Sequence, residues 1–180
     1  RLVAMNLASR KPEWRELVRQ SDETLLQATI IGDKLVLSYL KDAASRALIL
    51  DLSGKGAKTL ALSGLGTASG FRGRPGDPET FYSYTSFNQP AAIYRLDLAS
   101  GKTRPFARPP LTFEPKNFAI DQRFFTSKDG TRVPMFIVRK KAIAAAGRPV
   151  PTLLYGYGGF DVSLTPGYSS ARMAWLEAGG

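Results

Sequence analysis

The strongest constraint on the fold is an internal repeat of short apolar segments. The tripeptide Leu-Asp-Leu stands at residues 50–52 and returns 46 residues later, at residues 96–98. In each copy a second β-type run precedes it, Lys34–Tyr39 in the first copy and Thr80–Thr85 in the second. Short runs of this kind, either alternating or rich in β-formers, are typical of strands joined by hairpins.

A partial copy precedes the two complete ones. Leu2–Ser9 fits one period earlier, since Asn6 lies 45 residues before Asp51. Turn-forming residues separate the runs, and hairpins are predicted at Lys41–Ser45 and Ser86–Ala91. A four-stranded unit that returns every roughly 40–50 residues has the period of β-propeller blades. We therefore predict half of one blade followed by two complete blades, with an antiparallel sandwich of two similar hairpins as the alternative.

A proline-rich segment divides the chain. Arg108–Pro115 contains three prolines, which block regular ladder pairing and favour extended chain. After it the pattern changes to a predicted hairpin, Asn117–Thr126 and Thr131–Lys140, joined by a tight turn. We therefore predict two domains, a partial β-propeller over residues 1–112 and a second domain over residues 113–180.

The end of the second domain has the pattern of an α/β fold. Ala142–Ala146 predicts a short helical turn, and Val150–Leu154 is a continuous apolar run typical of a strand buried on both faces. That run leads into a bend at Tyr155–Phe160 with glycines at 156, 158 and 159, and Ser169–Ala178 predicts a helix. A buried strand, a glycine loop and a helix in this order carry active-site loops in α/β enzymes.

Composition excludes several chemistries. The 180 residues include neither cysteine nor histidine, so disulfides, thiolate nucleophiles and Cys-ligated zinc are excluded. The usual general base and the commonest metal ligand are absent as well. The chain therefore cannot hold a complete Ser-His-Asp or Cys-His site, and we expect neither a cofactor nor a metal.

The net charge of +10 is dispersed, with +6 over residues 1–112 and +4 over residues 113–180. Its one cluster, Arg139–Lys141, lies at a predicted strand end, so we expect a solvated surface and no nucleic-acid partner.

No apolar stretch reaches the roughly 18 residues of a transmembrane segment. No secretory leader is predicted, and the first and last residues, Arg1 and Gly180, lead us to expect a fragment.

Three roles are open for the glycine loop, Tyr155–Phe160. A phosphate-binding loop would need Gly-x-Gly-x-x-Gly spacing or a Walker lysine, and the loop has neither. A purely structural turn is the second reading. The third is an oxyanion loop, in which a tyrosine hydroxyl donates a hydrogen bond to the negative charge that develops during acyl transfer.

Longer motifs resemble one family. Ser127–Val138 and Leu154–Phe160 are similar to segments of the prolyl oligopeptidase family of serine peptidases. Phe81–Phe87 and Ile93–Leu98 resemble the last propeller blade of those enzymes. The resemblance extends over nearly the whole chain and is strongest over residues 124–168.

The resemblance implies the C-terminal blades of a β-propeller followed by the N-terminal part of an α/β-hydrolase domain. It implies a serine endopeptidase, monomeric and without a membrane partner, that cleaves short peptides after proline. The family's oxyanion tyrosine falls on Tyr157, and the phenylalanine that lines its proline pocket falls on Phe160. The family's serine, aspartate and histidine fall beyond Gly180, so this piece alone is expected to be inactive. We expect a cytoplasmic enzyme, with a periplasmic location as the alternative.

A non-catalytic β-propeller binding module remains the alternative function, with the glycine loop serving only as a turn. Other aromatic and acidic residues have structural interpretations. Tyr155 is expected to pack against the strand end. Trp14, Phe71 and Tyr94 are predicted to lie in blade cores. The acidic pair Asp51 and Asp97 occupies matched blade positions, which predicts structural hydrogen bonds near strand ends.

Overall fold

The repeated segments form separate antiparallel sheets in a computed structural model, which describes residues 1–147 and 149–180. The strands are β1 Leu2–Met5, β2 Trp14–Val18, β3 Thr24–Ile31, β4 Lys34–Lys41, β5 Ala44–Asp51, β6 Lys58–Thr59, β7 Thr67–Arg72, β8 Glu79–Ser86, β9 Gln89–Asp97, β10 Thr103–Ala107, β11 Phe118–Thr126 and β12 Arg132–Lys140. The helices are α1 Lys141–Ala146 and α2 Ser170–Glu177, and a 3-10 turn covers Pro115–Asn117.

Each complete repeat is a four-stranded meander. Strands β3 to β6 form one sheet and β7 to β10 form the next, both in simple chain order. The matched sequence segments lie on the second and third strands of each sheet, and β1 pairs with β2 as the predicted half-blade. The blade prediction is therefore confirmed over the sandwich of two hairpins.

The sheets stack face to face, and β4 contributes buried side chains to the interfaces on both of its faces. Val36 and Leu37 are both buried, and as neighbours on a strand they point to opposite faces. The cluster on the Val36 face joins the two four-stranded sheets and includes Ile31, Ile49, Phe71, Tyr82, Tyr84 and Leu96. The cluster on the Leu37 face joins β4 and β5 to the first two strands and includes Leu35, Leu50, Leu2, Leu17 and Val18. A fully buried side chain of this size contributes about 1.5–3 kcal/mol, so stacking holds successive sheets together.

Two of the three aromatic core predictions are confirmed. Phe71 is buried, and Tyr94 packs against the same cluster. Trp14 is 70% exposed, so its prediction was wrong. The apolar contacts of β2 come from Leu17 and Val18, at the opposite end of the strand from Trp14. The period of the repeat locates a strand but does not reveal which of its ends is buried by the next sheet.

The matched acidic residues make structural interactions, as predicted. The carboxylate of Asp97 accepts hydrogen bonds from the Ser100 backbone N–H at 2.8 Å and from its hydroxyl at 2.6 Å. These hydrogen bonds lower the pKa of Asp97. Asp51 pairs with Lys34 at 3.1 Å, across two adjacent strands.

After the sheets comes a hairpin that packs on a helix. Strands β11 and β12 pair in continuous register around the predicted turn, where Gly130 N–H donates to the Ser127 carbonyl at 3.0 Å. Helix α2 begins after Ser169, whose hydroxyl caps it, and it packs through Met173 and Leu176 on Phe118 of β11. The predictions of the hairpin and of both helices are confirmed.

The predicted buried strand Val150–Leu154 is absent from the described residues. The segment has no regular structure, and Leu154 is 85% exposed. A strand buried on both faces needs neighbouring strands, and within the described chain β11 and β12 pair only with each other. Tyr155 is exposed too, so it does not pack against a strand end as predicted. Neither described helix is long and apolar enough to cross a membrane.

Candidate functional site at the glycine loop

The glycine loop contains a turn with unusual backbone angles. Phe160 and Asp161 have φ values of +52° and +55°, and the Val162 N–H donates to the Gly159 carbonyl at 3.1 Å. Two central residues with positive φ define a turn of the I′ type, which favours Gly, Asn or Asp, and Asp42 and Ala43 have positive φ in the same way between β4 and β5. For Phe160 the left-handed conformation costs roughly 1–2 kcal/mol, whereas an aspartate such as Asp161 tolerates it more readily.

The loop presents both residues predicted from the sequence. Phe160 is 93% exposed and Tyr157 is 53% exposed. The Tyr157 ring lies along the backbone of Gly159, where an added Cβ would stand 3.5 Å from the ring edge. Within the described residues the Tyr157 hydroxyl has no hydrogen-bond partner, so it can donate to a ligand.

Two cavities border the loop and share Ser163. The first, of about 400 Å³, is lined by Gly158 to Ser163 except Phe160. The second, of about 560 Å³, has its other wall at the end of the first four-stranded sheet, near the turn between β4 and β5, and also includes Arg132. The chain just after the loop, at Ser163, therefore lies opposite the first four-stranded sheet. Neither Ser163 nor Arg132 carried any sequence signal, because only the fold places them beside that turn.

Glu23 and Lys41, on the blade wall of the second cavity, belong to a group of paired charges. The Glu23 carboxylate accepts hydrogen bonds from Arg46 at 2.6 and 2.7 Å and pairs with Lys41 at 3.3 Å. Burial raises the pKa of Glu23, but hydrogen bonds and the charges of Arg46 and Lys41 outweigh it, so the pKa falls below its usual value. This triad joins β4 and β5 to the residue that precedes β3.

Both hairpin turns of the blades contact the second part of the chain. Gln122 of β11 donates to the Asp42 carbonyl in the first turn at 2.6 Å. Asn88 in the second turn donates to the Pro115 carbonyl at 2.9 Å, and the neighbouring Phe87 ring lies 5.3 Å from that of Phe136. These contacts hold the hairpin of β11 and β12, and the segment before it, against the ends of the sheets.

The site offers a phenol donor and an exposed aromatic ring. Among the described residues, no three acidic side chains come together as metal ligands. The predicted surface cluster is engaged in ion pairs, since Arg139 binds Asp121 at 2.9 Å and Lys140 binds Glu177 at 2.7 Å. The arrangement can bind and polarise a ligand, whereas a nucleophile with its base would have to come from elsewhere.

Two stacked four-stranded meanders, preceded by a two-stranded part of a third sheet, define the first part of the molecule as β-propeller blades. A comparison with models of known protein families identifies the family to which these blades belong. The model of the prolyl oligopeptidase N-terminal β-propeller domain matches residues 1–109. The chain belongs to the prolyl oligopeptidase family.

Individual relatives are named as peptidases. The chain is 36% identical to the prolyl endopeptidase of Elizabethkingia miricola over 181 aligned residues, which cover 100% of this chain and 25% of that protein. A solved prolyl endopeptidase structure matches 99% of the chain with a TM-score of 0.84 and 47% identity, over 26% of its own length. Prolyl oligopeptidase B of Galerina marginata, bound to a 35-residue substrate, matches 97% of the chain with a TM-score of 0.82 and 27% identity, over 25% of its own length. The chain thus spans about a quarter of these relatives.

Proposed function

We propose that residues 1–112 are the last blades of the propeller and that residues 113–180 begin an α/β-hydrolase catalytic domain. Three observations support this division. The family model for the propeller ends at residue 109. The proline-rich segment Arg108–Pro115 follows, and beyond it the sheets give way to a hairpin, two helices and the glycine loop.

The proposed activity of the whole protein is serine endopeptidase cleavage of short peptides on the carboxyl side of proline. The observation that carries it is the exposed glycine loop, in which the Tyr157 hydroxyl and the Phe160 ring are both open to a ligand. The names of the relatives support the same activity.

In the proposed mechanism a serine outside this chain attacks the carbonyl carbon of the proline residue, and the amide bond to the next residue then breaks, with its nitrogen leaving as an amine. Negative charge develops on the carbonyl oxygen during the attack, and preorganised donors stabilise it more strongly than water does. The Tyr157 hydroxyl supplies one donor. The exposed face of Phe160 packs on the pyrrolidine ring of the substrate, which selects proline by shape.

The test uses the full-length protein, a fluorogenic Gly-Pro substrate and its Gly-Ala counterpart. We expect turnover of the proline substrate, preference for it over alanine, and loss of activity when a fluorophosphonate labels the serine. Tight peptide binding without turnover or labelling would contradict the proposal and favour the non-catalytic binding module.

A further inference from the structure

Two threonines stand side by side at the end of the second four-stranded sheet. Thr67 opens β7 and Thr85 lies next to the end of β8, and the two are directly opposite in the strand register. Both hydroxyls point out of the blade toward the chain that follows the glycine loop. Directly opposite residues in antiparallel strands are near neighbours, so the two hydroxyls can act on one segment.

Both hydroxyls form hydrogen bonds with that segment, one as a donor and the other as an acceptor. Thr67 donates to the Pro166 carbonyl at 2.7 Å. Thr85 accepts from the Tyr168 backbone N–H at 3.3 Å and donates its own proton to the Gln89 carbonyl at 2.9 Å. That second bond fixes the orientation of the Thr85 hydroxyl, which leaves a lone pair available for Tyr168.

The held segment is anchored in other ways too. The Gly167 carbonyl, between the two threonine partners, accepts from Arg172 of α2 at 2.5 Å. The Pro166 side chain is fully buried. The Tyr168 ring stacks on Phe113, with ring centres 6.0 Å apart and an interplanar angle of 5°. Three consecutive residues are thus fixed by backbone hydrogen bonds, burial and stacking.

The preceding loop lacks such anchors. From Tyr155 to Leu164 almost every residue is exposed, and within that described stretch the one backbone hydrogen bond is the turn from Val162 to Gly159. Only eight residues separate Tyr157 from Pro166. The first firm attachment downstream of Tyr157 is therefore made to the propeller blade by Thr67 and Thr85.

We propose that Thr67 and Thr85 are positioning residues, through which the blade fixes the glycine loop and so the Tyr157 hydroxyl. This inference rests on the proposed role of Tyr157. Catalytic donors must be held close to their productive positions, and small displacements are costly. The propeller then contributes to the chemical step through two side chains that do not touch substrate.

The experiment measures kcat, KM and Tm for Thr67→Val and Thr85→Val in the full-length enzyme. Valine keeps the shape of threonine and removes its hydroxyl. We expect kcat to fall roughly 3- to 10-fold, the loss that corresponds to one neutral hydrogen bond, with KM within about twofold. Thr67→Ser and Thr85→Ser keep the hydroxyl and should restore kcat.

Thr80→Val is the matched control. The Thr80 hydroxyl is buried in the same sheet and donates to the Arg72 carbonyl inside the blade at 2.8 Å. Its loss should lower Tm and leave kcat unchanged. If Thr67→Val and Thr85→Val behave like Thr80→Val, the contacts are structural only and the inference is overturned.

Combination with Tyr157→Phe separates this inference from the proposed function. If the threonines act through the Tyr157 hydroxyl, adding Thr85→Val to Tyr157→Phe should lower kcat by less than about twofold. A full, multiplicative loss in the double variant would overturn the inference while the role of Tyr157 stands. An unchanged kcat in Tyr157→Phe alone would overturn both.

Discussion

At the scale of single residues, the glycine loop combines exposed aromatic rings with a strained backbone. Phe160 and Asp161 adopt left-handed angles without being glycine, and both side chains are exposed. The sequence motif predicts that Tyr157 and Phe160 belong together in one loop. It does not predict the turn type, because Phe160, at the first central position, is not a residue that a turn of the I′ type favours.

Phe160→Ala tests the residue proposed to recognise proline. Removing the ring deletes one flat apolar contact with the pyrrolidine ring, which is worth about 1–3 kcal/mol of discrimination. We expect the ratio of kcat/KM for proline over alanine substrates to fall by about 10-fold or more in the full-length enzyme. An unchanged ratio would contradict the role in proline recognition and leave Phe160 as a structural residue of the turn.

Glu23 predicts a dependence of stability on pH. Because its folded pKa lies below the unfolded value, the Glu23 pairs stabilise the protein fully above the ordinary glutamate pKa. That stabilisation is lost as pH falls through the folded pKa. Glu23→Gln should cost about 1–2 kcal/mol near pH 7, a moderate value because the Arg46 side chain is 39% exposed.

Thermal melts of Glu23→Gln and wild-type protein at several pH values measure this effect. The difference in Tm should be largest at neutral pH and should shrink below about pH 4.5. Glu114→Gln is the control, because its partner Lys116 is 79% exposed and the pair should contribute little. A Tm difference for Glu23→Gln that is constant with pH would contradict the linkage.

At the scale of elements, the strands and their hairpins were predictable from the sequence. Which of their faces and ends are buried by distant parts of the chain was not. The repeat located β4, β5, β8 and β9 because alternation within a strand is a local property. The two-residue strand β6 escaped prediction, since so short a pairing leaves no periodic signal. The prediction of a buried strand at Val150–Leu154 was wrong, because burial on both faces depends on neighbouring strands. The contacts of Thr67 and Thr85 were unpredictable for the same reason, since each joins residues more than 80 positions apart.

Gly66→Ala tests how closely the loop before β7 packs on its own sheet. A Cβ on Gly66 would overlap the Tyr84 ring, which is fully buried in the cluster between the two sheets. Overpacking of this kind typically costs about 1–3 kcal/mol, so we expect a clearly lower Tm. Gly156→Ala is the matched control, since a Cβ there would meet nothing within 4 Å. Equal melting temperatures for the two variants would contradict the packing.

At the scale of the whole molecule, the blades and the loop form one proposed functional unit. The hairpin turns of both sheets contact the segment around β11 and β12, and the threonine pair holds the chain just after the loop. The family assignment rests on residues 1–109, whereas the residues proposed for chemistry lie beyond them. The propeller, whose family is known, therefore contacts the chain before and after the loop for which a catalytic role is proposed.

The most direct test of that link is Tyr157→Phe in the full-length enzyme, with kinetics and a thermal melt on one sample. The substitution keeps the ring and deletes the hydroxyl, so a lost oxyanion donor lowers kcat while KM changes little. We predict a fall in kcat on the order of 10²–10³ with an unchanged Tm. A near wild-type kcat together with a lowered Tm would contradict the account and make Tyr157 a structural residue.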